Sequence, residues 1–340
     1  MVQEPKSLQD AIIYFSNQDN CIEYLASRRW PDGVICPICG STKVSAFNKA
    51  RRTWKCGSHH SRREFSVKVG TIFEDSPIAL DKWLMATWLL VNCKNGISSY
   101  ELAKDARITQ KSAWFVLHRI RLALAGGSLE KMGGEDGGPI EIDEAYVGGE
   151  PKNKHFAERM KTVRTIKTKD GEMVSNPNFR ELRGRASQKT VVVGMIDRET
   201  RQARAQVIPN VDRKVLQDVI LENVSKGSTI YTDGLREYMG LGAMGFVHDT
   251  VNHIEEYVRG EVHTQGIENF WSLLKRGLLG TYVAVEPFHL DRYIGEQIFR
   301  FNNRSTRDNP LTDADRFALA ITQIVGKRLT FAELTGKAPS

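Results

Sequence analysis

Residues 139–147 read PIEIDEAYV, and their alternation decides how the second half of the chain is read. Ile140 and Ile142 project to one side of an extended strand, Glu141 and Asp143 to the other. Such a strand buries its apolar side and keeps carboxylates on the second. Further along come TVVVGMI (190–196), the turn DRET, ARAQVI (203–208), the helical pattern RKVLQDVILENV (213–224), STIYTD (228–233), a short helix near Leu235 and FVHDTVNH (246–253). The last piece is HTQGIENFWSLLKRG (263–277). Its residues Ile267, Phe270, Trp271 and Leu274, with Leu278 just beyond, form one apolar stripe of a helix.

Strand, strand, strand, helix, strand, helix, strand, helix is the element order of an RNase H-like fold. The expectation for residues 139–283 is therefore an α/β core, a mixed five-stranded sheet with helices. Within the last helix, Glu268 and Lys275 are seven residues apart, about two turns, so they share the face opposite the apolar stripe. Asp233 ends the strand STIYTD just before Gly234, at a carboxyl edge where open sheets place ligands. Three carboxylates from separate elements, Asp143, Asp233 and Glu268, would repel one another unless cations lay between them. Two Mg2+ or Mn2+ ions roughly 4 Å apart remove that repulsion and support phosphodiester hydrolysis and transesterification without a protein nucleophile. Lys275, with Arg276 beside it, would then lie under a phosphate backbone entering the site. Glu141 and Glu144 are alternatives to Asp143, and Asp233 could instead be a turn former before Gly234.

Upstream, residues 1–30 carry two short helices opened by Ser7 and Asp19. Residues 31–75 change texture to turn formers and short extended runs, among them EFSVKVGTIF (64–73). Cys36-x-x-Cys39 and Cys56-x-x-His59, separated by sixteen residues, have the spacing of a tetrahedral structural Zn2+ site. His60 competes with His59 for the fourth place. A segment this short can hardly bury a core of its own, so the metal would fold it. Residues 76–125 hold three helical patterns, DKWLMATWLLV, SSYELAKDA and TQKSAWFVLHRIRLAL, with Asp81, Ser98 and Thr109 as N-caps. Their order suggests a helix-turn-helix whose third helix offers Gln110, Lys111, Ser112, His118 and Arg119 to a DNA groove. Residues 126–138 contain six glycines and read as a linker. The insertion 149–189 carries eleven basic against five acidic residues, which suits a polyanion. Residues 284–340 read as covering helices.

The net charge of +7 permits a nucleic-acid partner without requiring one. No run reaches the roughly 18 apolar residues of a membrane span, and the stretch MVQEPKSLQD lacks a basic region followed by an apolar core, so a cytosolic protein is expected. An odd count of five cysteines, two in a C-x-x-C, fits metal binding in a reducing cytosol rather than disulfides. The segments RRWPDGVICPICGS, REFSVKVGTIF, IEIDEAYVGG, IYTDGLREY, HTQGIENFWSLLKRGLLGTY and FRFNNR, in that order, closely resemble bacterial insertion-sequence transposases of the DDE class, in the ISXO-like, Merlin-related group. The resemblance implies Asp143, Asp233 and Glu268 as the metal-binding triad, Lys275 as the basic residue following it, and an N-terminal zinc ribbon for DNA. It also implies double-stranded DNA partners (terminal inverted repeats and target), a homo-oligomeric synaptic complex and a place at the bacterial nucleoid. His59 departs from the commoner fourth cysteine. His289-x-x-Arg292 followed by Tyr293 imitates the box of tyrosine recombinases, but no tyrosine follows Tyr293 to act as nucleophile. A DNA-binding regulator without catalysis and an RNase H-like nuclease that cuts without joining are the other two readings.

Overall fold

The computed structural model describes residues 4–126, 130–134, 138–148, 165–167, 173–175, 189–251, 263–307 and 309–337. It falls into two units, one formed by Met1–Gly127 with Gly295–Ser340 and the other by Ser128–Ile294. No helix among the described residues is long and apolar enough to cross a membrane.

In the first unit, α1 (Leu8–Phe15) starts at Ser7, whose hydroxyl accepts the Asp10 N–H while the Asp10 carboxylate accepts the Ser7 N–H. The second helix, α2 (Gln18–Arg29), is capped by Asn17 rather than Asp19, because the Asn17 side chain accepts the Asp19 N–H and draws Asp19 into the first turn. Strands β1 (Trp54–Lys55) and β2 (Glu64–Phe65) pair antiparallel. Beyond Phe65 the run expected to be extended folds into turns, with Val69 N–H on Ser66 O, Thr71 N–H on Lys68 O and Gly70 at φ 73°. Those turns let Val67, Val69, Ile72 and Phe73 all point inward. Helices α3 (Leu80–Asn92), α4 (Ser99–Ala106) and α5 (Gln110–Leu124) follow. Ser98 and Thr109 cap α4 and α5 as expected, whereas Ala79 occupies the cap position of α3 and Asp81 sits in its first turn, accepting from Gln18.

The second unit is organised around a mixed sheet. Its strands are β3 (Ile140–Val147), β6 (Thr190–Asp197), β7 (Ala203–Ile208), β8 (Thr229–Asp233) and β9 (Val247–Val251), in the order β7–β6–β3–β8–β9. Strand β6 runs antiparallel to both β3 and β7, while β8 and β9 run parallel to β3. Two short strands, β4 (Thr165–Lys167) and β5 (Met173–Ser175), pair with each other. The rest of the expected basic insertion lies outside the described residues, as does part of the glycine-rich 126–138 segment. On one face Ile140 and Ile142 pack with Leu216, Val219 and Ile220 of α6 (Arg213–Asn223) and with Tyr238 from the 3-10 turn after β8. The opposite face receives α7 (Gln265–Gly277) through Ile267 and Trp271. Gly194 of β6 makes that approach possible, since a Cβ there would stand 2.6 Å from the Trp271 ring and 2.8 Å from Ile267.

The chain continues through α8 (Leu290–Asn302), α9 (Asp313–Thr322) and α10 (Phe331–Leu334). Phe317 of α9 closes the core of the first unit. It stacks 5.6 Å from Tyr24, with Trp88 5.0 Å away, and is fully buried. Burying a side chain of that size is worth about 1.5–3 kcal/mol.

Candidate active site and metal cluster

Parallel pairing of β3 and β8 aligns Ile140 with Ile230 and Glu141 with Tyr231, an offset of ninety residues. Asp143, in the middle of β3, and Asp233, the last residue of β8, have the same offset, so continuing that register two residues further would set them level, on the face that receives α7. Asp143 accepts a hydrogen bond from the Trp271 indole N–H at 3.0 Å. Burial raises its pKa to about 6, and the neighbouring charges of Asp233 and Glu268 push the same way against the bonds from the Glu144 backbone and Trp271. Asp233 Oδ1 accepts the Leu235 N–H at 3.1 Å and so shapes the turn that follows. Glu268 lies in the first turn of α7, exposed, with the Thr264 hydroxyl donating to its Oε1 at 3.3 Å. A carboxylate there is also favoured by the helix dipole.

Chemically the donor set fits Mg2+ or Mn2+: oxygen ligands only, partly desolvated, with a surplus of negative charge that a cation relieves. The charges of Asp233 and Glu268 both act on Asp143. Among the described residues, the zinc-type group below is the one whose ligand atoms converge within 4.8 Å.

The two other acidic residues of β3 have partners elsewhere. Glu141 is 1% exposed, accepts Arg198 Nε at 2.7 Å and the Ile267 N–H at 3.0 Å. Glu144 faces the other side of the sheet, where the buried Tyr238 hydroxyl donates to it at 2.7 Å. Burial raises Glu144 to about 7, with the Tyr238 bond opposing and the charges of Asp233 and Asp143 adding to the rise. Sequence reasoning assigned Trp271 to the apolar stripe alone; its signal as a polar partner is the indole N–H, which a buried Trp normally satisfies.

Lys275 and Arg276 are exposed in the last turn of α7. The groove-reading assignment in α5 fits less well. Lys111 is exposed, its ammonium 4.6 Å from the Phe331 ring, and Gln110 bonds to Ser99. Arg119 is corrected: it is 4% exposed and donates to the carbonyls of Leu329 and Glu74, so it is a structural tie and not a base reader. His118 is fully buried as well. The C-terminal half of α5 is enclosed on all sides, which its alternating polar letters did not reveal. Tyr293 is also buried, packed 4.7 Å from Tyr282.

In the first unit Cys36, Cys39, Cys56 and His60 bring one ligand atom each within 4.8 Å of the others. Cys39 and Cys56 sulfurs are 3.6 Å apart, and Cys36 Sγ lies 3.5 Å from His60 Nε2. With Zn–S bonds near 2.3 Å, sulfurs at roughly this spacing suit tetrahedral Zn2+. Burial opposes ionisation of Cys56, yet hydrogen bonds with His60, the Ser58 N–H, Cys39 and Cys36 outweigh it and bring the thiol down to about 6. Histidine 59, expected as the fourth ligand, is exposed and outside the group. The reason is the shape of the second knuckle. Gly57 N–H bonds to Lys43 O and Ser58 N–H to Cys56 Sγ, and this turn carries the chain one residue further before an imidazole points back. A Cβ on Gly57 would stand 3.1 Å from Lys43 O, so the tight turn is built for glycine.

Comparison with known proteins adds family likeness to this geometry. Residues 136–302 match the family model of the ISXO2-like transposase domain, and residues 16–59 that of the transposase zinc-ribbon domain. An uncharacterized protein in transposable element ISH50 of Halobacterium salinarum is 27% identical over 269 residues, covering 78% of this chain and 84% of that protein. An uncharacterized transposase-like protein of Haemophilus influenzae is 35% identical over 97 residues, 28% of this chain and 78% of the relative.

Proposed function

Because the chain belongs to the family of ISXO2-like transposases with an N-terminal transposase zinc ribbon, we propose that it is a metal-dependent DDE transposase with Asp143, Asp233 and Glu268 as its metal ligands. The observation that carries this reading is the ninety-residue register of β3 on β8, an offset that Asp143 and Asp233 share, together with the charge of Glu268 acting on Asp143. The strand order, three antiparallel strands followed by two parallel ones, supports an RNase H-like core. When bound, two Mg2+ ions would activate an attacking oxygen and stabilise the leaving 3′ oxygen of a phosphodiester.

The chain's own residues do the rest. Asp143 must be ionised to bind metal, and the Trp271 N–H holds its carboxylate in one orientation. Lys275 and Arg276, exposed two turns beyond Glu268, attract the phosphate backbone of double-stranded DNA. Zinc held by Cys36, Cys39, Cys56 and His60 fixes the ribbon, which with α3–α5 binds the terminal inverted repeats. Lys111 and Gln110, at the open N-terminal end of α5, are the DNA contacts on that helix. A synaptic complex of two or more copies would hold both element ends, and the protein would work at the bacterial nucleoid.

Cutting and joining of labelled end DNA in Mg2+ tests the reading. Glu268→Gln keeps the apolar face of α7 and should bind ends normally, while cutting falls at least ~10²-fold, the loss typical of removing one key electrostatic group. Normal cutting by this variant would overturn the triad. Cut ends without strand-transfer products from the unaltered protein would make it a nuclease instead.

A further inference from the structure

We infer that Glu141, clasped by Arg198, is a positioning residue that locks the start of α7 to β3 and so sets where Glu268 stands relative to Asp143. This deepens the proposed function and rests on it. Glu141 lies two residues before Asp143 on the same face of β3, so both carboxylates turn towards α7. Its two oxygens are divided between two tasks. Oε2 accepts the Ile267 N–H at 3.0 Å, an amide in the first turn of α7, where helix donors lack partners of their own. Oε1 accepts Arg198 Nε at 2.7 Å. Arg198 in turn donates to the His263 backbone carbonyl at 2.6 Å, stands 2.7 Å from His263 Nδ1, and lies 4.7 Å over the Tyr231 ring of β8.

One buried carboxylate thus ties together β3, the turn after β6, the residue leading into α7, and the first turn of α7. Gly266 completes the fit, because a Cβ there would fall 2.8 Å from Glu141 Oε2. Burying a charged pair brings little stability by itself, since desolvation offsets most of the attraction. Its geometric effect is larger. Ile267 is the immediate neighbour of Glu268, and Glu141 is fixed in the strand that carries Asp143, so any slip at the clasp changes the separation of the two metal ligands. A second tie, Trp271 to Asp143, lies one turn further along the same helix.

The test uses the full-length, zinc-loaded protein, with Mn2+ as the metal probe. Four quantities are read: end-DNA KM, cutting kcat, Mn2+ affinity by titration in the absence of DNA, and Tm. Glu141→Gln should leave KM within about twofold, lower kcat about 10- to 10²-fold and weaken Mn2+ binding about tenfold, as loss of an outer-shell support does. Arg198→Lys keeps the charge but loses the fork, and should move kcat and Mn2+ affinity the same way by a smaller factor. Gly266→Ala crowds the clasp without altering charge, and serves if Glu141→Gln does not fold. In a Glu141→Gln, Glu268→Gln double variant, the first change should add less than about twofold, because it acts through Glu268. A lower Tm with unchanged kcat and Mn2+ affinity, while Glu268→Gln is slow, would overturn the positioning role and leave the triad standing. Normal cutting by Glu268→Gln would overturn the triad itself, and the positioning role with it.

Discussion

Replacing Asp143 with Asn should make the metal-free protein more stable at neutral pH while abolishing its chemistry. Folding raises the Asp143 pKa from 3.8 to about 6, chiefly by burial and then by the charge of Asp233. A carboxyl raised in the folded state is ionised more easily in the unfolded chain, so ionisation opposes folding. The penalty is absent below pH 3.8, grows between there and pH 6, and is fully present above about 6. At its full size it corresponds to about 3 kcal/mol. Asn removes the charge and keeps an oxygen for the Trp271 N–H, so most of this destabilisation should vanish. Even half of it would raise Tm by about 3–6 °C for a unit of this size. The assay is a pair of thermal melts at pH 7.5 and pH 4, without Mg2+, for both proteins, with the transition of the second unit followed at each pH. The variant should melt higher at pH 7.5 and equally at pH 4, and Mg2+ should stabilise only the unaltered protein. An equal or lower Tm for Asp143→Asn at pH 7.5 would refute the account of Asp143 as a carboxylate held charged at the expense of stability.

Zinc content after dialysis should separate the two histidines: His60→Ala loses the metal and its N-terminal fold, and His59→Ala keeps both, since metal binding there is folding free energy. The opposite pattern would reinstate His59. Lys275→Ala, and separately Arg276→Ala, should flatten the slope of log K against log salt by about 0.9 for each phosphate that is no longer neutralised, measured by end-DNA titration across salt concentrations. An unchanged slope would remove that residue from the DNA path. Gly194→Ala drives a methyl into Trp271 and Ile267 and should destabilise the protein by about 1–3 kcal/mol by denaturant titration, with slower cutting because Trp271 is displaced from Asp143. A neutral result would mean α7 does not pack as closely on β6 as described.

Much of the second unit was legible because a strand's two-residue period is local. Ile140, Glu141, Ile142 and Asp143 announce their faces without any knowledge of neighbours, and the α7 stripe does the same with a period near 3.6. Partners far along the chain were not legible. Arg119 looked like a groove reader because it follows a plausible cap at Thr109, but its hydrogen bonds go to Leu329 and Glu74, which only the folded unit brings beside it. Histidine 60 was hidden by turn geometry, in which Gly57 and an N–H to sulfur bond decide which imidazole returns to the thiolates. The clasp of Glu141 by Arg198 spans fifty-seven residues, and nothing in either segment names the other.

The register between β3 and β8 divides the three carboxylates into two kinds. Asp143 and Asp233 are indexed by backbone hydrogen bonds in neighbouring strands, so the length and composition of whatever chain lies between residues 148 and 190 leave their separation untouched. Glu268 arrives on a helix that, among the described residues, is seated by side-chain contacts, those of Ile267, Trp271 and the Glu141 clasp among them. The site is therefore two fixed jaws and one adjustable one. Any influence that is to switch it, whether DNA, a second subunit or a substitution, has its lever in the seating of that single helix.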